Sequence, residues 1–331
     1  MDILVTGGAG YVGSGILVKL GSRFPNAGIT SIDNLALGDY GYVNHLREDK
    51  RYRLLVGDIG KKSDLQKAFA REPAFVIHVA AMPGVKLCED QPKQAINSNF
   101  YGTHLLLEES VNHNVERFIF TSSAAVYGVP QEQPISEDHP LKPVNLYGVT
   151  KEAAEKTINA SHANHGLATT IFRLSNVYGL SVYTRQKTVI PKFVWQATNN
   201  QPLTIRADGE QQRNFVHVQD VIDAIIKCLE APRKAVAGET LNIGGESRSV
   251  NQIAEIVIQE AKEKLGRRIP KVFTPLNPGE VYTHEFGYSY EKAAEKIDYK
   301  PRRQIPQGVS ELFNYTTNIE RDLQRKQLKS S

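Results

Sequence analysis

Tyr147 and Lys151 lie four residues apart in the run Asn-Leu-Tyr-Gly-Val-Thr-Lys. One helical turn separates such positions, so both side chains project from the same face. A lysine ammonium beside a phenol favours the phenolate and lowers its pKa from about 10 toward working pH. A phenolate so placed is a general base for a sugar or alcohol hydroxyl. The same spacing also arises on solvated helix faces, so the pair takes its meaning from the residues that precede it.

Those residues describe a dinucleotide site. Residues 2–6, Asp-Ile-Leu-Val-Thr, read as a short buried strand, and Gly7-Gly8-Ala9-Gly10-Tyr11-Val12-Gly13 follows at once. Val12, Ile16, Leu17 and Leu20 then repeat at helical spacing. Strand, glycine turn and helix start come in the order that a dinucleotide requires. Gly7 and Gly10 would let backbone N–H groups approach a pyrophosphate, and Gly13 would let the helix lie close to the strand. The helix N-terminus adds partial positive charge for the phosphates. A glycine-rich turn without a ligand is the simpler alternative.

A second strand, residues 29–32, ends in Asp33, 20 residues after Gly13. That is the spacing of an acid that accepts the adenosine ribose hydroxyls. An acid there repels a 2′-phosphate, which favours NAD over NADP; a helix N-cap is the competing role. Residues 51–56 read as a third strand, after which Asp58 and Ile59 would touch the adenine edge. A fourth strand, 75–79, enters Ala80 and Ala81, whose small side chains suit close approach of a cofactor.

The composition bounds the function. The chain has 331 residues, 40% hydrophobic and 23% charged, with a formal net charge of +4. These are ordinary proportions for a soluble globular protein. The excess of basic residues is too small and too scattered for nucleic-acid binding, though it suits an anionic ligand. Residue 1 leads straight into a core strand, so no signal peptide is expected, and no apolar run reaches membrane-spanning length. Cys88 and Cys228 form neither a disulfide framework nor a metal cluster, and the nine histidines show no ligand spacing, so no metal is expected. A reduced, cytoplasmic protein is the expectation.

Strands and helices alternate to about residue 175, which predicts a doubly wound α/β fold around a parallel sheet. The pattern then loosens. Helices are predicted at 189–198, 221–230 and 251–264, a short strand at 203–205, and a late strand at 240–243 that returns to the main sheet. The expected organisation is a Rossmann-like cofactor domain over 1–176, completed by about 216–264. A smaller, discontinuous α/β substrate domain would span 177–215 and 265–315. Residues 316–331 form a polar tail, expected as a frayed helix or disorder.

Taken in order, the motifs resemble the nucleotide-sugar epimerase/dehydratase branch of the extended short-chain dehydrogenase/reductase superfamily, with a pattern similar to that of the UDP-glucose 4-epimerases. They are the glycine turn from Thr6, Asp33-Asn34-Leu35, Gly57-Asp58-Ile59, His78-Val79-Ala80-Ala81 and Asn99-Phe100-Tyr101-Gly102-Thr103. There follow Ser122-Ser123-Ala124-Ala125-Val126-Tyr127-Gly128, Tyr147 to Lys151, Arg173 to Gly179, Asp208 to Val218 and Asn242-Ile243-Gly244.

The resemblance implies NAD as cofactor, held by Gly7, Gly10, Tyr11, Val12, Asp33, Asn34, Asp58, Ile59, Ala80, Ala81, Asn99, Ser122, Tyr147 and Lys151. It makes Ser123, Tyr147 and Lys151 the catalytic trio. It also implies a nucleotide-diphosphate sugar as substrate, contacted by Ser123, Asn176 and Arg213, and a homodimer built on the helices at 103–114 and 148–165. His78 and His217 match positions with a structural role.

Departures from the family pattern narrow the chemistry. The related dehydratases carry an Asp-Glu pair directly after the catalytic hydroxyl residue, and the decarboxylases a Glu; here Ala124 and Ala125 stand there. Alanine moves no proton. A second family arginine before Pro278-Gly279-Glu280 is replaced by Asn277, and a neutral amide does not substitute for a bidentate guanidinium. Arg185 or Lys187 would compensate. Pro83 replaces a polar residue near the cofactor. The first reading is therefore an NAD-dependent nucleotide-sugar 4-epimerase. A nucleotide-sugar oxidoreductase with net hydride transfer and a non-catalytic NAD-binding regulator are the alternatives.

Overall fold

Ile3, Leu4 and Val5 are fully buried in succession. A strand achieves that only when both faces of its sheet are covered, as in a parallel α/β sheet. The computed structural model describes residues 1–182, 188–276 and 280–329, with side chains through 318. Among them the strands are β1 (Asp2–Thr6), β2 (Gly28–Asp33), β3 (Tyr52–Val56), β4 (Phe75–His78), β5 (Arg117–Ser123), β6 (Thr169–Leu174), β7 (Asn176–Tyr178), β8 (Leu203–Arg206), β9 (Gln212–His217), β10 (Glu239–Ile243), β11 (Glu246–Ser249) and β12 (Lys271–Thr274). The α-helices are α1 (Tyr11–Arg23), α2 (Lys62–Phe69), α3 (Val85–Asp90), α4 (Pro92–Ile96), α5 (Gly102–Asn112), α6 (Leu146–His165), α7 (Val189–Thr198), α8 (Val218–Glu230), α9 (Arg233–Val236), α10 (Val250–Leu265), α11 (Glu291–Ile297) and α12 (Ile305–Lys329).

Seven strands form one sheet in the order β3-β2-β1-β4-β5-β6-β10. Every pairing in it is parallel. The strand order reverses between β1 and β4, which opens a crevice beyond their carboxyl ends. This is the doubly wound fold that the alternating pattern predicts. The late strand also lies where the sequence places it, with β10 pairing β6 from Glu239 opposite Thr170 to Ile243 opposite Leu174.

Helix boundaries follow from local chemistry. Asn145 caps α6 by accepting from the Gly148 N–H, and Gly166 ends it in the left-handed conformation at φ +69°. Ser249 and Gln252 form a reciprocal capping box on α10. The helix predicted from residue 221 begins three residues earlier, at Val218, because the His217 imidazole accepts from the Gln219 N–H and acts as its cap. Histidine is not among the usual capping types, so no local signal marks this start.

Two further sheets build the second lobe. β7 lies parallel to β9, which pairs antiparallel with β11. β8 and β12 form a two-stranded parallel sheet. Ile190, Phe193, Ile253, Val257, Val309 and Phe313 bring α7, α10 and α12 into a common core beneath them. α12 runs on as a helix into the tail residues.

Two buried histidines tie elements together. His78 sits between the hydroxyls of Thr6, at 2.7 Å, and Thr103, at 2.8 Å. Burial pushes its pKa well below the ordinary imidazole range, with Lys151 adding to the effect. Burial likewise pushes His217 down to about 4. Both are neutral in the fold, whereas an unfolded chain protonates histidine near pH 6.5. Below that pH the unfolded state binds more protons, so stability falls as pH drops from about 6.5 toward 4, by up to about 1.4 kcal/mol per pH unit for each histidine. Urea titrations from pH 7 to pH 5 should show this decline. His217→Asn, which can still cap α8, should flatten it; an unchanged slope would contradict the assignment.

Candidate active site

The crevice at the strand reversal opens into a cavity of about 700 Å³. Its floor is a contact of backbone on backbone. Gly7 adopts φ +76°, and a Cβ there would stand 2.7 Å from the Ala80 nitrogen. A Cβ on Gly13 would stand 2.0 Å from the Gly7 carbonyl oxygen. No side chain fits either position, so α1 and the end of β4 close on the turn directly.

α1 starts at this turn with Gly10 as its N-cap and no side-chain cap. Its first N–H groups and its dipole are left for an anion. Tyr11 and Val12 line the wall, and the Tyr11 hydroxyl donates to the Gly179 carbonyl at 2.6 Å. Asp33 closes the far side. Its carboxylate accepts from the N–H groups of Ala9, at 3.0 Å, and Leu35, at 2.9 Å, latching the end of β2 to the glycine turn. Burial raises its pKa, and those two N–H groups oppose the rise. Asn34, Asp58 and Ile59 line the same end, with Asp58 accepting from the Gly60 N–H at 2.8 Å. A glycine cradle, an uncapped helix and an acid at the end of β2 fit the pyrophosphate and ribose of a dinucleotide.

The opposite wall carries side chains of the types that move protons. β5 ends in Ser122 and Ser123, and Tyr147 and Lys151 stand one turn apart on α6; all four line the cavity. The Ser123 hydroxyl oxygen accepts from the Ala125 N–H at 3.2 Å, capping a short turn over Ala124–Val126. That bond uses a lone pair and leaves the hydroxyl proton available. Lys151 is almost fully buried. Its ammonium donates to the Thr121 carbonyl at 2.8 Å and lies 4.4 Å from the centre of the Phe120 ring. Burial pushes its pKa down to about 7, against the upward pull of Glu155.

The structure thus brings Gly7, Gly10, Tyr11, Val12, Asp33, Asn34, Asp58, Ile59, Ala80, Ala81, Ser122, Ser123, Tyr147, Lys151 and Asn176 to the lining of one cavity. Asn99 and Arg213 stand off it. Asn99 is buried behind the wall, where it accepts from the Met82 N–H at 2.7 Å and donates to the Met82 carbonyl at 3.0 Å and to Thr150 at 3.1 Å. It belongs to a π-helical segment, Asn97–Tyr101, and shapes the loop after β4. Arg213 lies on β9 and donates to the carbonyls of Gln212 and Val281. Asn176 donates to the Asn214 carbonyl at 3.0 Å, which ties it to the same strand. Asn277, Arg185 and Lys187 lie outside the described residues.

Sequence reasoning missed the polar wall made by Gln91, Gln94, Asn97 and Ser98. These residues sit on and between short helical pieces with no periodicity to reveal them. Among the described residues no His/Cys/Asp/Glu group of three could hold a metal, and no helix is long and apolar enough to cross a membrane.

Fold and site together define a dinucleotide-dependent α/β enzyme. The sequence model of the NAD dependent epimerase/dehydratase family matches residues 3–244. A UDP-glucose 4-epimerase of Corynebacterium glutamicum is 32% identical over 319 residues, 91% of each chain. Human dTDP-D-glucose 4,6-dehydratase is 34% identical over 267 residues, 79% of this chain and 74% of that one. The crystal structure of a Bacillus cereus UDP-glucuronic acid 4-epimerase, in complex with UDP-glucuronic acid and NAD, superposes with a TM-score of 0.86 at 29% identity, covering 96% of this chain and 100% of that one. The chain belongs to the NAD-dependent epimerase/dehydratase family, and its cofactor is NAD.

The buried lysine has a measurable signature. An unfolded lysine holds its proton to about pH 10.4, whereas folded Lys151 releases it near 7. Between those values the unfolded chain binds more protons, so stability rises with pH. Lys151→Met should remove that part of the rise in urea titrations between pH 7 and 10, and should abolish turnover.

Proposed function

We propose that this enzyme is a nucleotide-sugar 4-epimerase that uses Tyr147 as its base. The observation that carries the reading is where the carboxylates are. Among the described residues of the cavity wall they are Asp33 and Asp58, both at the end formed by β2 and β3. Beyond Ser123 the chain turns through Ala124 and Ala125. A 4,6-dehydration must remove the sugar C5 proton and protonate the departing 6-hydroxyl, and alanine does neither. Oxidation at C4 and its reversal remain within reach of a serine, a tyrosine and a lysine.

In this reading Ser123 holds the sugar 4-oxygen, and Tyr147 takes its proton. Bound NAD supplies a reversible hydride acceptor for C4. Lys151 would stabilise the phenolate and, with the cofactor bound, would donate to its nicotinamide ribose. Asn176 and Arg213 hold the diphosphate while the 4-keto sugar turns its other face to the wall. Return of the hydride to C4 on that face, with the Tyr147 proton going back to the 4-oxygen, would give inverted C4. The cofactor is unchanged over a cycle, so the close-packed glycine floor, which favours retention, suits the task. The exposed apolar side chains of Tyr101, in the π-helical turn that leads into α5, and Val149, on α6, support pairing of two copies through these helices.

The test is incubation with a panel of UDP-, dTDP-, GDP- and CDP-hexoses, with C4 configuration read by NMR. Inversion in one nucleotide series is expected. Retention of configuration throughout, with stoichiometric reduction of added NAD by the hexose, would instead identify a net oxidoreductase. Tyr147→Phe should lower turnover about 10²–10⁴-fold, the usual worth of general acid–base catalysis, while NAD stays bound. Normal turnover in that variant would remove Tyr147 from the mechanism.

A further inference from the structure

Behind the catalytic wall lies a charged pair that the reaction as proposed does not use. Glu155 and Arg173 are both buried. The Arg173 guanidinium grips the Glu155 carboxylate through Nη2 at 2.8 Å and Nε at 3.1 and 3.2 Å. Ser122 donates its hydroxyl to the same carboxylate. Arg173 is completed by the Tyr127 hydroxyl and the Glu137 carbonyl, each at 2.9 Å. Tyr127 in turn donates to Asn242 at 2.7 Å, and the Tyr288 hydroxyl donates to the Arg173 carbonyl at 2.9 Å. A buried ion pair is a poor source of stability compared with apolar packing, so its retention calls for another explanation.

Its position supplies one. The single carboxylate of Glu155 joins three elements: α6, which carries it, β5 through Ser122, and β6 through Arg173. α6 presents Tyr147 and Lys151, β5 ends in Ser123, and β6 leads into Asn176. Glu155 also follows Lys151 by four residues, and Lys151 follows Tyr147 by four, so the three share one helix face.

We infer that Glu155, braced by Arg173, is a positioning residue that fixes Ser123, Tyr147 and Lys151 in one constellation, with its carboxylate one helical turn from Lys151. The inference rests on the proposed role of Tyr147. The groups around Lys151 are Glu155 on α6, Cys88 on α3, His78 on β4, and the Phe120 ring and Thr121 carbonyl on β5, with Tyr147 one turn earlier on α6. His78 is neutral and burial pushes Cys88 up to about 11, so neither supplies charge at neutral pH. Glu155 is the chief opponent of the desolvation that drives Lys151 to shed its proton. Without Glu155 the lysine loses charge at working pH, and the Tyr147 phenolate loses its stabilising neighbour.

The experiment reads the ionisation of Tyr147 directly. Phenolate absorbance is titrated in the NAD-bound protein and in Tyr147→Phe, and the difference isolates Tyr147. The same subtraction is made with Glu155→Gln present. The Tyr147 midpoint should rise by on the order of one pH unit, and the acid limb of the kcat profile should move with it. kcat should fall on the order of 100-fold at neutral pH, as displacement of a catalytic group produces, with little change in KM. Glu155→Asp, which keeps the charge, should restore the midpoint. Glu155→Gln/Arg173→Met leaves no unpaired buried charge, so it guards against misfolding of the single variant, and it should show the same rise. An unmoved or lowered midpoint, or failure of the double variant to fold, overturns the inference. Activity surviving in Tyr147→Phe would instead overturn the base assignment, while the midpoint shift would still report the coupling of Glu155 to Tyr147.

Discussion

Backbone meets backbone where β1 and β4 end, and the site is arranged around that contact. With Gly7 against Ala80 and Gly13 against Gly7, no side chain stands between the sheet and the first turn of α1. The helix N-terminus therefore aims at the crevice without a spacer, and Asp33 can reach back to the Ala9 N–H. Any added carbon atom would push α1 outward and take the anion site and its acid with it.

From that floor the cavity divides by charge. One end offers partial positive charge and a carboxylate, complementary to phosphates and ribose hydroxyls. The other offers a phenol, a hydroxyl and a buried cation. The cation is costly to desolvate, and its surroundings are arranged to hold it: a carbonyl at 2.8 Å, an aromatic face and a carboxylate one turn along the helix. The fold gives up some stability at neutral pH to keep a lysine where it can influence a neighbouring phenol.

Much of this was legible in the sequence, because local backbone geometry leaves local marks. The glycine turn, Asp33 and the Tyr147–Lys151 spacing each encode one turn or one strand end, and the parallel sheet follows from alternating elements. What depends on tertiary contact was not legible. Nothing local in Glu155 or Arg173 announces that they meet, since 18 residues and a change of element separate them. Asn99 reads as a cofactor ligand, and its bonds to Met82 and Thr150, 17 and 51 residues away, have no local mark. The second lobe draws on distant segments, so α10 shares its core with α7 and α12 through contacts that no window of sequence displays.

The placement of β10 has a consequence for how the chain matures on the ribosome. β10 pairs with β6 in a register that sets Asn242 beside Arg173, and Asn242 accepts from the Tyr127 hydroxyl that completes the arginine's bonding. Every residue of the cavity wall except Thr188 has been synthesised by position 177. The edge strand that seals the charged pair behind that wall emerges some 60 residues later. Since a domain folds as a unit, the wall that carries the tyrosine, serine and lysine depends on a strand that lies far beyond it in the chain. Of the seven strands of the main sheet, the one that comes last in the chain is the one that covers the charged pair.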